Sequence, residues 1–221
     1  MNILVIIPAY NEDEKISEVI KGLKTKANLP LDILVVDDGS KDQTAFRAIE
    51  AGAMVVSHVI NRGQGAALKT GIEFAVKKNY QTVIFFDADG QMDPAEAYNL
   101  NLKLNEGYDV VLGSRNIGQA IDMPLLTKIV KKIALIFTKL TTGLNITDIH
   151  NGFQAWRVSS LSSIKLDQDR MAHASQILNE ISRLKLKYCE VPVTIKYTDY
   201  SKRKGQKIWN SFNILWDLLI K

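Results

Sequence analysis

Short apolar runs punctuate the first half of the chain, and each gives way to polar residues and then to a stretch with helical spacing. Ile3–Ile7, Asp32–Val36, Met54–His58, Thr82–Phe86 and Asp109–Gly113 are the predicted strands. Their apolar residues run consecutively rather than alternating, as in strands buried on both faces. Between them, from about Glu14 to Lys26, Ile16, Val19, Ile20 and Leu23 recur at the spacing of one helix face. Further helices are predicted at about Thr44–Ala51 and Gly65–Lys78. Another begins at Asp93-Pro94, a cap residue followed by proline at the first helical position. Strands and helices that alternate in this way build a mainly parallel sheet covered on both faces.

The polar residues fall after the strands. They are Pro8-Ala9-Tyr10-Asn11-Glu12, Asp37-Asp38-Gly39-Ser40, Asn61 through Ala67, Asp87 through Gln91, and Gly113-Ser114-Arg115. In open α/β sheets, ligands bind outside the carboxyl ends of the strands, so five polar loops on one rim point to a site. Val83-Ile84-Phe85-Phe86 runs directly into Asp87 and Asp89. Side chains two apart on a strand share a face. Two carboxylates with the Gln91 amide make a hard, open set of donors, suited to Mg²⁺ or Mn²⁺ shared with phosphates. The plainer reading is an acidic turn, because Asp and Gly form turns anyway. An EF-hand is excluded: Met92 stands where its glycine belongs and Tyr98 where its bidentate glutamate belongs.

Other chemistries lack their signatures. Gly63-x-Gly65 is followed by Leu68 where a dinucleotide fingerprint needs a third glycine, and no Gly-Lys-Ser/Thr or Gly-x-Ser-x-Gly occurs. His58, His150 and His173 lack metal-ligand spacing and read as structural or surface groups. A chain of 221 residues, with 46% apolar and 24% charged content, has the composition of a soluble globular domain. The single Cys189 excludes an internal disulfide and fits a reducing compartment. No signal peptide and no run of about 20 apolar residues is evident, so the expectation is a soluble or peripheral protein. The net charge of +4 is concentrated: Lys196, Lys202, Arg203, Lys204 and Lys207 against Asp199 give the same excess within one segment. Those cations come without aromatic stacking platforms on a sheet, which argues against nucleic acid as a partner.

Taken together, the Pro8–Glu12, Val36–Ser40, Asn61–Ala67, Asp87–Gln91 and Gly113–Arg115 motifs resemble the family 2 glycosyltransferases of GT-A (Rossmann-like) fold. The likeness is strongest to the dolichol-phosphate mannosyltransferase and polyprenyl-phosphate glycosyltransferase branch. It covers essentially the whole chain as one domain, with residues 1–117 as a nucleotide-sugar half and 118–221 as an acceptor half. The resemblance implies a GDP- or UDP-sugar donor, a polyprenyl phosphate acceptor, a divalent cation and inversion at the anomeric carbon. It implies further that Pro8, Ala9, Tyr10, Glu12, Val36, Asp38 and Gly65 hold the nucleotide sugar together with Asp87, Ala88 and Asp89. Asp87, Asp89 and Gln91 would hold the metal, and Arg115 would sit on a phosphate. Asp37 reads as a turn cap before Ser40.

Thr147–Gln154 resembles a T-D-x-x-S/N-G-F-R segment in which Gln154 replaces the usual arginine. Asp148 lies where a hydroxyl acceptor would need a general base, and the alternative is a loop organiser. Lys196 and Lys202 match a basic pattern whose loop (196–207) would close over the phosphates, although Lys196 stands for an arginine and loses its fork. The plainer reading of that segment is a solvated basic loop. Amphipathic runs at Met123–Leu144 and Ile208–Ile220 are expected to form helices. They suit a membrane interface or a membrane-spanning partner, and equally the core or another copy of the chain in a homo-oligomer. Placement at the cytoplasmic face of a membrane follows from the resemblance. The rival readings are a soluble member acting on a sugar or protein hydroxyl, a non-catalytic nucleotide-sugar sensor, and a sugar-phosphate nucleotidyltransferase. The last would need a glycine-rich N-terminal loop, and Pro8–Glu12 has no glycine.

Overall fold

The computed structural model describes residues 2–122, 135–136, 138–149, 151–166 and 173–204. In chain order the first elements are β1 (Ile3–Ala9), α1 (Ile16–Lys26), β2 (Leu31–Asp37), α2 (Thr44–Glu50), β3 (Met54–Ser57), α3 (Gln64–Lys77) and β4 (Thr82–Phe85). A 3-10 turn at Pro94–Glu96 leads into α4 (Ala97–Asn105), its first amide capped by Asp93, whose carboxylate accepts from Ala95 N at 3.1 Å. Then come β5 (Val110–Ile121), β6 (Gln154–Arg157), α5 (Val158–Leu161), α6 (His173–Arg183), β7 (Tyr188–Lys196) and α7 (Asp199–Lys204). The predicted series of strands and helices is present, with boundaries within about two residues of those expected apart from the end of β5.

The strands form one seven-stranded sheet in the order β3-β2-β1-β4-β6-β5-β7. All pairings are parallel except those of β6, which runs antiparallel between β4 and β5. One face buries Ile3, Val5 and Ile7 with Ile16, Ile20 and Leu23 of α1 and Leu100 of α4. The other buries Leu4, Ile6, Val83 and Phe85 with Leu68 and Ile72 of α3 and Ile177 and Ile181 of α6. This two-sided burial is why the strands read as unbroken apolar runs. From β1 the chain winds outward through β2 and β3, then returns to place β4 on the other side of β1. Strand order reverses there, and the crevice beyond β1 and β4 is where such sheets bind ligands.

The β5 expectation needs correction. Gly113-Ser114-Arg115 does not form a loop after a short strand but lies within β5, which continues to Ile121. Strand β5 therefore also runs through the expected division at residue 117. The extension exists because β7 pairs along it, with a bulge between Ser114 and Gln119. Pro192 faces Ser114 there and has no N–H to continue the ladder. Gly118 lets the bulge lie against the Val193 main chain, where any Cβ would overlap it. Most of the Met123–Leu144 amphipathic run, all of Ile208–Ile220 and His150 lie outside the described residues.

Candidate active site

Asp87 follows β4 at the reversal point and is the centre of the site. Its Oδ1 accepts from Gln64 Nε2, at the first position of α3, at 3.2 Å. Burial and the neighbouring charges of Asp89 and Glu12 push its carboxyl up to about 7, while Arg115 and Gln64 pull it back. Asp89 folds over its own turn, its Oδ1 accepting from Gln91 N at 3.0 Å. Gln91 is half-buried, and its carbonyl accepts from Lys196 N at 2.9 Å. Among the described residues no three of His, Cys, Asp and Glu gather into a metal cage. Two carboxylates and an amide are nonetheless a fitting set for a cation that takes its other ligands from phosphates.

The β1 and β2 loops are laced together. Asn11, left-handed at φ 53°, donates its N–H to Ser40 Oγ at 2.9 Å, and Glu12 N donates to Thr44 Oγ1 at 2.7 Å. Asp37 caps the turn as expected, accepting from Ser40 N at 3.2 Å. Tyr10 is exposed, Pro8 is half-buried beside Asp87, and Ala9 and Ala88 are buried.

Two of the residues expected at the nucleotide are tied into the fold. Val36 is fully buried in β2 among Leu4, Leu34 and Ala67, so its side chain is core. Asp38 is also buried, and its carboxylate accepts from Arg62 N at 2.9 Å and Gly63 N at 2.6 Å while His58 Nδ1 lies 2.7 Å away. His58 in turn reaches Thr70 Oγ1 at 2.9 Å. Asp38 therefore shapes the loop before α3, and His58 is structural. Gly65 lies buried in the first turn of α3, whose N-terminal end opens on the site.

Arg115 and Asp148 form a buried pair: Arg115 Nε donates to Asp148 Oδ2 at 2.6 Å and Arg115 N to the same oxygen at 3.1 Å. Arg115 Nη1 donates to Tyr197 Oη at 2.8 Å. Burial works against the guanidinium charge, but Asp148 and Tyr197 more than restore it. Asp148 thus ties the 147–148 loop to Arg115 on β5. Glu190 on β7 completes the arrangement by accepting from Thr147 N at 2.9 Å and Asp148 N at 3.1 Å. Gln154, in place of the usual arginine, donates to Asn151 O at 3.1 Å and accepts from Trp156 Nε1 at 3.0 Å.

Residues 195–200 are tied to this rim. Ile195 bridges Met92, and Tyr200 Oη donates to Glu12 Oε2 at 2.7 Å, which with burial raises the phenol's pKa. The contacts are carried by tyrosines. Lys196 is exposed, Lys202 lies in α7 with its side chain outside the described residues, and residues 205–207 lie outside them altogether. Sequence reasoning missed Tyr197, Tyr200, Gln64, Asn151, Gly152 and Glu190. Gln64, Asn151 and Gly152 lay within the motifs at 61–67 and 147–154 but without an assigned role, and the tyrosines were aromatic residues interleaved in a basic run.

This fold and rim are those of a GT-A glycosyltransferase. The family model described as glycosyl transferase family 2 matches residues 4–164, and the chain belongs to that family. It is 34% identical to the UDP-N-acetylglucosamine–dolichyl-phosphate N-acetylglucosaminyltransferase of Methanococcus voltae, over 99% of this chain and 95% of that one. It is 31% identical to the undecaprenyl-phosphate mannosyltransferase of Micrococcus luteus, over 92% and 87%. A crystal structure of Mycobacterium tuberculosis glucosyl-3-phosphoglycerate synthase with Mn²⁺, UDP-glucose and phosphoglyceric acid superposes with a TM-score of 0.71 at 22% identity. It covers 92% of this chain and 75% of that one. No described helix is long and apolar enough to cross a membrane.

Proposed function

We propose that this glycosyltransferase moves a sugar from a nucleotide diphosphate sugar to the phosphate of a polyprenyl phosphate, at the cytoplasmic face of a membrane and in glycan biosynthesis. The two relatives named above act on dolichyl and undecaprenyl phosphates, and both match nearly end to end. One observation favours this reading over transfer to a hydroxyl: Asp148 bonds to Arg115 at 2.6 Å, with both side chains almost fully buried. A hydroxyl acceptor needs a base beside it, and a carboxylate held in that way is poorly placed to serve. A phosphate acceptor is already ionised and needs alignment and charge screening instead.

In the reaction, the bond from the anomeric carbon to the donor's diphosphate oxygen breaks as an acceptor phosphate oxygen bonds to that carbon from the opposite side. The nucleoside diphosphate leaves with the electron pair. Asp87, Asp89 and Gln91 would hold a Mg²⁺ or Mn²⁺ ion, which when bound neutralises the departing diphosphate. Tyr10 offers a flat surface to the base, and Glu12 and Pro8 flank the ribose. Arg115, held rigidly by Asp148 and Tyr197, faces the phosphates with fixed charge. Lys196 and Lys202 add cations from the covering segment.

The test supplies labelled UDP- and GDP-sugars and Mn²⁺, with and without a polyprenyl phosphate in detergent, to the native protein and to Asp89→Ala. Label should enter the lipid phase with the native protein only. Donor turnover without lipid labelling would replace the lipid phosphate by another acceptor.

A further inference from the structure

Beneath Asp87 lies a cavity of about 130 Å³ that the reading above leaves unused. Its walls are graded. Asp87, Gln64 and Asn151 stand at the rim. Leu68, one helical turn along α3 from Gln64, and Phe85, two residues back along β4 from Asp87, stand deeper with Ile177 of α6 and with Gln154, the cross-strand partner of Phe85, whose amide bonds to Asn151 O and Trp156 Nε1. A helical turn and a two-residue strand step each cover about 6 Å, so the polar and apolar walls form two tiers.

Asn151 supplies the second observation. It is 5% exposed, and its Oδ1 accepts from Phe153 N at 3.1 Å, which fixes the orientation of its amide. Its Nδ2 is a buried donor with no hydrogen-bond partner among the described residues. Buried donors without acceptors are rare and costly. This one lines a cavity whose other rim groups are a carboxylate and the Gln64 amide that donates to it.

We propose that the cavity receives the acylamino group of the donor, so that the transferred residue is a 2-acylamino sugar. The inference rests on the nucleotide-sugar reading of the site. The substituent's carbonyl accepts from Asn151 Nδ2, its N–H faces the Asp87 carboxylate, and its methyl group enters the tier formed by Leu68, Phe85 and Ile177. A hydroxyl would satisfy the rim but leave the apolar tier empty. Size agrees as well. An apolar cavity of about 150 Å³ takes one benzene, so this one takes a substituent and not a pyranose ring. Asp87 is both a wall of the cavity and a candidate cation ligand beside the diphosphate, which selects the ring carbon next to the anomeric one.

The test measures dissociation constants for the full chain with Mn²⁺ by calorimetry. UDP-glucose and GDP-mannose are each paired with their 2-acetamido-2-deoxy analogues, with UDP and GDP alone as references. On the base that binds, the acetamido donor should bind about tenfold or more tightly than its hydroxyl partner, the scale of one satisfied buried donor. Asn151→Asp keeps the acceptor for Phe153 and removes the donor, and it should bring that ratio to about two or less. In the native protein the Asn151 side-chain amide signal should move in the NMR spectrum with the acetamido donor and stay in place with the hydroxyl donor. Equal affinity within a pair, or an unmoved Asn151 signal, would mean that the cavity holds only water and would overturn the inference while leaving the nucleotide-sugar reading intact. If neither UDP nor GDP binds, both fall together.

Discussion

A Cβ atom at position 152 would stand 2.8 Å from both carboxylate oxygens of Asp87. Gly152 is thus the wall against which the central carboxylate rests. Asp87 is half-buried and lines the cavity, so an added methyl group at 152 must push its carboxylate out of place. Gly152→Ala should leave the sheet intact and displace Asp87. Positioning errors of about 1 Å typically cost about 100-fold, so turnover should fall by about that factor and Mn²⁺ affinity with it. Circular dichroism, calorimetric Mn²⁺ binding and initial rates would test this, and unchanged metal affinity would refute it.

Burial and the charges of Asp89 and Glu12 push the Asp87 carboxyl up to about 7, well above the usual carboxylate range. Because the folded value is raised, the native state binds the extra proton. The associated stability is fully present below about pH 4 and is lost as pH rises through 7. Without divalent cation, Asp87→Asn should therefore raise the melting temperature at pH 8, by about 2–4 °C for each kcal/mol relieved in a chain of this size. It should change little near pH 4. Mn²⁺ should stabilise the native protein more at pH 8 than at pH 6, because binding must displace that proton. Melting curves at three pH values, with Mn²⁺ and with EDTA, would decide it.

Breaking one side of the Arg115–Asp148 pair leaves a buried charge uncompensated, at a cost of about 3–5 kcal/mol. Asp148→Asn should lower the melting temperature by about 6 °C or more. Rates measured well below that transition should fall only modestly if the acceptor is a phosphate. Loss of nearly all activity in fully folded protein would instead make Asp148 a base and the acceptor a hydroxyl.

Tyr200→Phe removes the bond to Glu12 and leaves the ring. At about 1 kcal/mol for such a bond, the donor KM should rise about fivefold with kcat held within about twofold. Proteolysis of the 196–204 segment should quicken in the same variant. A normal KM and an unchanged cleavage rate would show that the tie has no part in donor binding.

The alternating strands, the two helical layers and the cluster around Asp87 were legible because each depends on residues close in sequence. Apolar runs mark buried strands wherever the partners lie. The misplacements have a different origin. Gln154-Ala155-Trp156-Arg157 has no apolar run, and only the slot between β4 and β5 makes it a strand. Gly113-Ser114-Arg115 looked like a loop because its polar residues say nothing of the β7 edge that extends β5. The motif around Asp38 and Val36 gave no sign that the Asp38 carboxylate takes the loop amides of Arg62 and Gly63 or that the Val36 side chain joins the core. Glu190 is one glutamate in an ordinary strand until Thr147 and Asp148 fold onto it.

The slot filled by β6 also sets a timetable for synthesis. A nascent chain that has emerged only as far as β5 holds two apolar strands, Thr82–Phe85 and Val110–Ile121, with nothing hydrogen-bonded between them. Until residues 154–157 arrive, those open edges can recruit strands from other chains. Ribosomal pausing between β5 and β6 would thus lengthen the period in which aggregation competes with folding, and that interval is where a chaperone would do the most good.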